Sequence, residues 1–206
     1  ICEKQFLNIK EGSKFYSKAI RNLIIVNFNL KKSDVAKINF DKLENLKQEN
    51  DSEYALFKSS YYSFLGQTNE AQKVINDALV KHPLDKDLLL KKFEFIFYQG
   101  TNQDLLNVYQ GLSDKLSADD EVQNFFSYAF IHKNINMDKA FKMIADVLKK
   151  SPRNGNYLDT IGLWYYVNKN YEKALGYFKE ALSFEAGNPV ILFHMAQVYE
   201  SMGQTK

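Results

Sequence analysis

Residues 155–184 read GNYLDTIGLWYYVNKNYEKALGYFKEALSF, and the second half of this stretch places Ala174 among large apolar side chains. Outward from Ala174, small or apolar residues recur along the chain at a nearly constant spacing. Ala71, Leu105, Ala140 and Ala174 are separated in turn by 34, 35 and 34 residues. A period of 34 residues is typical of repeats that each consist of two helices joined by a turn. The spacing therefore predicts a repeat array and favours binding over catalysis.

Turn residues divide each repeat into a first helix, A, and a second helix, B. Gly66 and Gly100 follow A helices, where a C-terminal glycine is common, whereas Pro83 and Pro152 follow B helices that proline terminates. Pro189 suits the first turn of the last A helix. The predicted A helices cover 14–30, 52–65, 86–99, 119–133, 155–168 and 189–202, and the B helices cover 33–48, 68–81, 102–115, 137–150 and 171–184. This pattern of about eleven helices predicts an all-α solenoid of antiparallel helix pairs.

Small side chains mark the predicted contacts between paired helices, because they let two helices approach closely. On the A helices these residues are Ser59, Ser127, Gly162 and Ala196. The chain also contains 16 Phe and 13 Tyr. We interpret most of these aromatic rings as filling between helices and not as a ligand site.

Composition and charge argue against several classes of function. The chain has 206 residues and a formal net charge of +2, without the basic excess of a nucleic-acid-binding surface. Its single cysteine, Cys2, rules out an internal disulfide and a cysteine-based zinc site. The longest apolar runs are shorter than 18 residues, so we predict no segment that spans a membrane.

The best repeat resembles the tetratricopeptide repeat (TPR) family. The residues that match the signature of that family are Leu158, Ile161, Gly162, Tyr165, Ala174, Phe178 and Ala181. The resemblance covers residues 52–203 and implies a right-handed superhelix of helix pairs. The stretches 134–140 and 154–162 resemble a bacterial subgroup with many envelope-associated members. A bacterial cytoplasm and a cell envelope both stay open as locations, as does lipid modification of Cys2.

We divide the chain into a divergent helix pair or cap at 1–50 and a TPR array at 51–206. The array is predicted to contain units at 52–85, 86–119, 120–154 and 155–188, followed by a truncated unit at 189–206. The last A helix, 189–202, is apolar on nearly every side. We therefore expect either a longer protein or end-to-end self-association through this helix.

A candidate partner site follows from the TPR resemblance, because the A helices of that family line a concave groove. The corresponding residues are Glu53, Leu56, Asp87, Leu90, Glu94, Phe97, Asn124, Tyr128, Ile131, Asp159, Leu163, Tyr166, Phe193 and Gln197. These residues combine apolar and aromatic side chains with carboxylates and include no Lys or Arg. The hypothesis is a groove for a protein segment with apolar anchors and basic flanks. In the alternative, the acids are only solvated and the binding surface lies elsewhere.

The sequence does not support a catalytic site. His82, His132 and His194 lie far apart without metal-ligand spacing, so we assign them surface or packing roles. No Gly-rich phosphate loop or nucleophile elbow is present, and Asp119 with its acidic neighbours suits a helix N-terminus. We predict no catalytic, cofactor-binding or metal-binding residues. Two alternatives stay open, a docking module of an enzyme and a helical repeat that binds RNA.

Overall fold

The computed structural model describes residues 6–13, 15–46 and 51–203, and every regular element in these ranges is a helix. Cys2 and the predicted helix end at 47–48 lie outside the described residues. The helices are α1 (Tyr16–Asn29), α2 (Ser33–Glu44), α3 (Asp51–Phe64), α4 (Thr68–Lys81), α5 (Lys86–Gln99), α6 (Asn102–Gln110), α7 (Asp114–Ser117), α8 (Asp120–Lys133), α9 (Met137–Lys150), α10 (Gly155–Val167), α11 (Tyr171–Phe184) and α12 (Pro189–Ser201).

The predicted all-α architecture is confirmed, and each predicted A helix agrees with an observed helix to within two residues at either end. The prediction of one continuous B helix over 102–115 is wrong. Helix α6 ends at Gln110 with Gly111 at its C-cap, and the short helix α7 follows. The Ser113 side chain caps α7 by accepting a hydrogen bond from the Leu116 N–H. Because Gly111 and Ser113 favour a helix end and a helix start, they interrupt the periodic pattern.

The described chain packs as two compact units, one formed by residues 1–91 and the other by residues 92–206. The division falls within α5, so the boundary between the two units does not coincide with a boundary between repeats. The predicted boundary at residue 50 concerns the type of repeat and stays a prediction.

In the unit formed by residues 1–91, α1 packs against α2 and α3 packs against α4. The buried apolar cluster of this unit consists of Ile20, Leu23, Ile24, Phe28, Ala36, Phe40, Leu43 and Tyr61. At the predicted contact of α3 with α4, the buried Ser59 hydroxyl donates a hydrogen bond of 3.0 Å to the Ala71 carbonyl oxygen. Gly66 ends α3 with a φ of +74°, a conformation that favours glycine because it has no Cβ.

In the unit formed by residues 92–206, α8 packs against α9, α10 against α11, and α12 against both α10 and α11. The predicted small-residue contacts are confirmed in the first two pairs. The Ser127 hydroxyl donates a hydrogen bond of 2.8 Å to the Ala140 carbonyl oxygen. A Cβ atom at Gly162 would lie 2.6 Å from the Phe178 ring, so only glycine leaves room for this ring.

Helix α12 is the last helix among the described residues, and its predicted contact residue Ala196 is exposed. Val190, Leu192 and Phe193 on the same helix are also exposed. Pro189 lies in its first turn as predicted, and the Asn188 side chain caps it by accepting a hydrogen bond from the Val190 N–H. Self-association through 189–202 stays a prediction.

Candidate functional site

A cavity of about 430 Å³ lies between α8, α10 and α12 in the unit formed by residues 92–206. We call it the A-helix cavity, because all three helices are A helices of the repeat pattern. Its lining residues are Tyr128, His132, Leu163, Tyr166, Val167, Pro189, Val190, Phe193, His194 and Gln197. Most of these side chains are apolar or aromatic, as in ligand pockets generally.

The A-helix cavity brings together part of the candidate site. The five predicted residues that line it are Tyr128, Leu163, Tyr166, Phe193 and Gln197. They come from three consecutive A helices, so the repeat register placed them on one surface although they are distant in sequence. Phe193 is 60% exposed at this surface, whereas Leu163 is buried.

The other predicted residues of this unit do not line the A-helix cavity. Phe97, Ile131 and Asp159 are buried, and Glu94 and Asn124 are half-buried. The Phe97 ring lies 5.9 Å from the Tyr128 ring and makes part of the packing behind the cavity wall. These positions were assigned to the groove from the TPR resemblance, which indicates the face of a helix but not the depth of each side chain.

Asp159 is held by a second residue that the sequence analysis did not connect with it. Nδ1 of His194 lies 2.9 Å from Oδ1 and 3.1 Å from Oδ2 of Asp159. Both side chains are buried, with exposed fractions of 5% for His194 and 9% for Asp159. Because its carboxylate is engaged by His194, Asp159 is not a free acid for a basic residue of a partner. A usable signal was present in the sequence, since the two residues are 35 positions apart, which is one repeat.

Aromatic rings surround the His194 imidazole. Its ring centre lies 6.3 Å from that of Tyr128, 5.7 Å from that of Phe178 and 6.1 Å from that of Phe193. Phe178 belongs to the B helix α11, so His194 connects the cavity lining to the packing of the helix pair. The predicted surface or packing role of His194 agrees with its burial but does not include its hydrogen bond.

Two tyrosines place hydroxyl groups at the A-helix cavity. Burial raises the pKa of the Tyr128 phenol, and the neighbouring Tyr98 and Asp159 raise it further. Tyr128 is therefore an uncharged hydroxyl at physiological pH. The Tyr166 hydroxyl lies 3.2 Å from the Ser201 hydroxyl, within hydrogen-bonding distance, which links α10 to the end of α12.

The predicted site residues of the other unit lie apart from one another. Leu56 lines a second cavity, of about 370 Å³, together with residues of α1 and α3 that include Phe28 and Phe64. Glu53 is exposed and forms an ion pair of 2.6 Å with Arg21. Asp87 is exposed and Leu90 is half-buried, and neither lines this cavity.

Among the described residues, no group of three or more His, Cys, Asp or Glu side chains could hold a metal ion. No helix within these residues combines the length and the apolar character needed to cross a lipid bilayer. The Asp119 side chain caps α8 by accepting hydrogen bonds from the Glu121 and Val122 N–H groups, as predicted for this acidic stretch.

No protein-family model matches the chain, and no curated protein sequence matches it either. Its resemblance to known proteins lies in the fold. The chain superimposes on a crystal structure of a tetratricopeptide repeat protein from Parabacteroides merdae with a TM-score of 0.57 and 15% sequence identity, covering 91% of this chain and 74% of the other.

Two further crystal structures are similar. The C-terminal part of a TPR repeat-containing protein from Cytophaga hutchinsonii gives a TM-score of 0.57 and 12% identity, with 97% of this chain and 79% of that chain covered. A chain of the APC/C hetero-tetramer Cut9–Hcn1 gives a TM-score of 0.60 and 15% identity, with 95% of this chain and 38% of that chain covered. The protein therefore has a TPR-type α-solenoid fold, as the repeat spacing predicted.

Proposed function

We propose that this protein is an interaction scaffold that binds a segment of a partner protein in the A-helix cavity. The single observation that carries this proposal is the convergence of five predicted groove residues from three A helices around one cavity. The TPR-type fold adds support, because stacked helix repeats create extended surfaces of this kind. A fold alone does not define a function, so the proposal rests on the cavity.

The rim of the cavity offers apolar side chains to a partner. Phe193 and Val190 line the cavity and are 60% and 50% exposed in the chain by itself. Aromatic side chains that become buried on association often contribute a large share of the binding free energy. We therefore expect Phe193 to bury more surface than the other lining residues when a partner binds.

The charge around the cavity is compatible with the predicted basic flanks of the partner. None of the residues that line it is Lys or Arg. Glu200 on α12 is exposed and lies one turn beyond Gln197, which lines the cavity. A basic residue that follows an apolar anchor of the partner would meet Glu200 at this end of the site.

The experiment is a selection of random 12-residue displayed peptides against the full 206-residue chain, followed by affinity measurements on two matched variants. Phe193→Ala removes an exposed ring that lines the cavity, and Leu192→Ala removes an exposed side chain of the same helix that does not line it. We expect the enriched peptides to lose at least about 10-fold in affinity with Phe193→Ala and less than about 2-fold with Leu192→Ala.

Circular dichroism of both variants checks that the helices remain folded. Peptides that bind both variants as tightly as the wild type would place the binding surface outside the A-helix cavity. A selection that enriches no binding peptide would contradict the scaffold proposal itself.

A further inference from the structure

The A-helix cavity contains one buried polar group whose role is not explained by packing. His194 lines the cavity although its side chain is only 5% exposed. Its Nδ1 is bound to Asp159, and within the described residues its Nε2 has no hydrogen-bond partner. Nε2 is therefore the polar atom that His194 offers to an occupant of the cavity.

The contact with Asp159 selects the tautomer of a neutral His194 ring. A carboxylate accepts hydrogen bonds, so the Nδ1 of His194 carries the proton that is shared with Asp159. In a neutral imidazole the second nitrogen is then unprotonated and accepts a hydrogen bond. Asp159 acts as a positioning residue, because it selects this tautomer and holds the ring in place.

An acceptor nitrogen in the cavity wall restricts which side chains can fill the cavity. An apolar side chain placed against Nε2 would remove the nitrogen from water and give it no partner, which weakens binding. A side chain with an N–H or O–H group would satisfy Nε2. The remaining walls contain the aromatic rings of Tyr128, Tyr166 and Phe193, and aromatic rings pack favourably against one another.

We infer that the A-helix cavity binds an aromatic side chain that donates a hydrogen bond, a tryptophan or tyrosine of the partner segment, with His194 Nε2 as the acceptor. This inference rests on the proposed function and specifies the anchor of the partner. The cavity volume of about 430 Å³ is within the range of ligand pockets.

The tautomer of His194 is the first test and requires no variant. Long-range 1H–15N NMR spectra of the full chain distinguish a protonated ring nitrogen from an unprotonated one. We expect the ring of His194 to carry one proton, on Nδ1, with Nε2 unprotonated. A proton on Nε2, in either the neutral or the charged ring, would overturn the inference, because Nε2 would then be a donor.

The second test compares two small probes of nearly equal shape. 3-Methylindole is the tryptophan side chain and has an N–H donor, whereas 3-methylbenzothiophene has sulfur in its place and no donor. Each is titrated into the full chain while the backbone amide signals of α10 and α12 are followed. We expect 3-methylindole to bind roughly 3- to 10-fold more tightly, the range for one net hydrogen bond.

Three variants assign this preference to His194. His194→Asn keeps an N–H near the position of Nδ1, where it can still bind Asp159, but removes Nε2. Asp159→Asn keeps the size of the side chain and weakens the selection of the tautomer. His82→Asn is the control, since His82 is exposed and does not line this cavity. The preference for 3-methylindole should disappear in His194→Asn, decrease in Asp159→Asn and persist in His82→Asn.

Failure of the inference is distinguishable from failure of the proposed function. If both probes bind equally, if the preference survives His194→Asn, or if neither probe shifts signals of α10 and α12, the donor-bearing anchor is wrong. The scaffold proposal then stands or falls with the peptide selection and the Phe193→Ala and Leu192→Ala pair.

Discussion

The helix pairs α8–α9 and α10–α11 occupy equivalent positions in consecutive repeats. They differ in the residues that lie where the two helices of each pair come close together. In α8–α9 the Ser127 hydroxyl donates a hydrogen bond to the Ala140 carbonyl oxygen. In α10–α11 the equivalent position is Gly162, and the Phe178 ring occupies the space where a Cβ atom would lie. One pair thus uses a polar contact and a small side chain, and the other uses a large ring and no side chain.

The comparison indicates that the contact between paired helices requires a certain total side-chain volume and not a particular residue type. Four residues after the small position on the B helix, α9 has Ile144 where α11 has Phe178, and both are fully buried. The larger ring is compensated by the smaller residue opposite, as close packing requires. Phe178 also contacts His194, so the packing between α10 and α11 continues to a residue that lines the A-helix cavity.

The largest effect is expected for Phe178→Ala. Removing this fully buried ring should lower the free energy of unfolding by about 3–5 kcal/mol, because apolar contacts are lost and a cavity remains. Urea denaturation followed by circular dichroism measures the change. The control is Phe184→Ala on the same helix, which removes an exposed ring and should cost less than about 0.5 kcal/mol. Equal costs would mean that the ring of Phe178 is not central to the pair.

Gly162→Ala should be the next largest change. The added Cβ would lie 2.6 Å from the Phe178 ring, and overpacking of this kind costs about 1–3 kcal/mol. The better helix propensity of alanine offsets up to about 1 kcal/mol of this cost. Gly176→Ala in α11 is the matched control, since a Cβ there meets no atom within 4 Å. Thermal unfolding should therefore show a lower Tm for Gly162→Ala and an unchanged or higher Tm for Gly176→Ala.

A sharper test replaces the contact residues of α10–α11 with those at the equivalent positions of α8–α9. The double variant Gly162→Ser with Phe178→Ile reproduces in α10–α11 the residues that α8–α9 has in Ser127 and Ile144. Since volume is approximately kept, we expect the double variant to unfold within about 1.5 kcal/mol of the wild type. Gly162→Ser alone should cost more than the double variant does. A double-mutant cycle measures this coupling, and additive effects would contradict the idea of a shared volume.

Ser127→Ala should have the smallest effect of the series. It removes the hydrogen bond to the Ala140 carbonyl but leaves the packing intact, so the expected loss is about 1 kcal/mol. Ser183→Ala is the comparison, because Ser183 is exposed and donates a hydrogen bond to the carbonyl of Glu180 in its own helix. Chemical denaturation of both variants should show a measurable loss for Ser127→Ala alone.

More of the fold than of the candidate site could be predicted from the sequence. Three B helices were predicted to the residue, because the 34-residue period repeats along the chain and Pro83 and Pro152 follow two of them. The prediction failed at Gly111, where local capping interrupts a helix that the period would continue. For the site, the resemblance to the TPR family predicted Tyr128, Tyr166 and Phe193 as residues of one groove. All three line the A-helix cavity, and their binding role stays a prediction.

The sequence by itself determined the TPR-type fold, the helix pairs and the small residues between them, because these follow from spacing along the chain. Only the tertiary structure decided that Phe97 and Ile131 are buried and that His194 is bound to Asp159. The physical reason is that periodicity defines which face of a helix a residue occupies. The depth of a side chain and the partner of a buried polar atom depend on how neighbouring helices are rotated and packed.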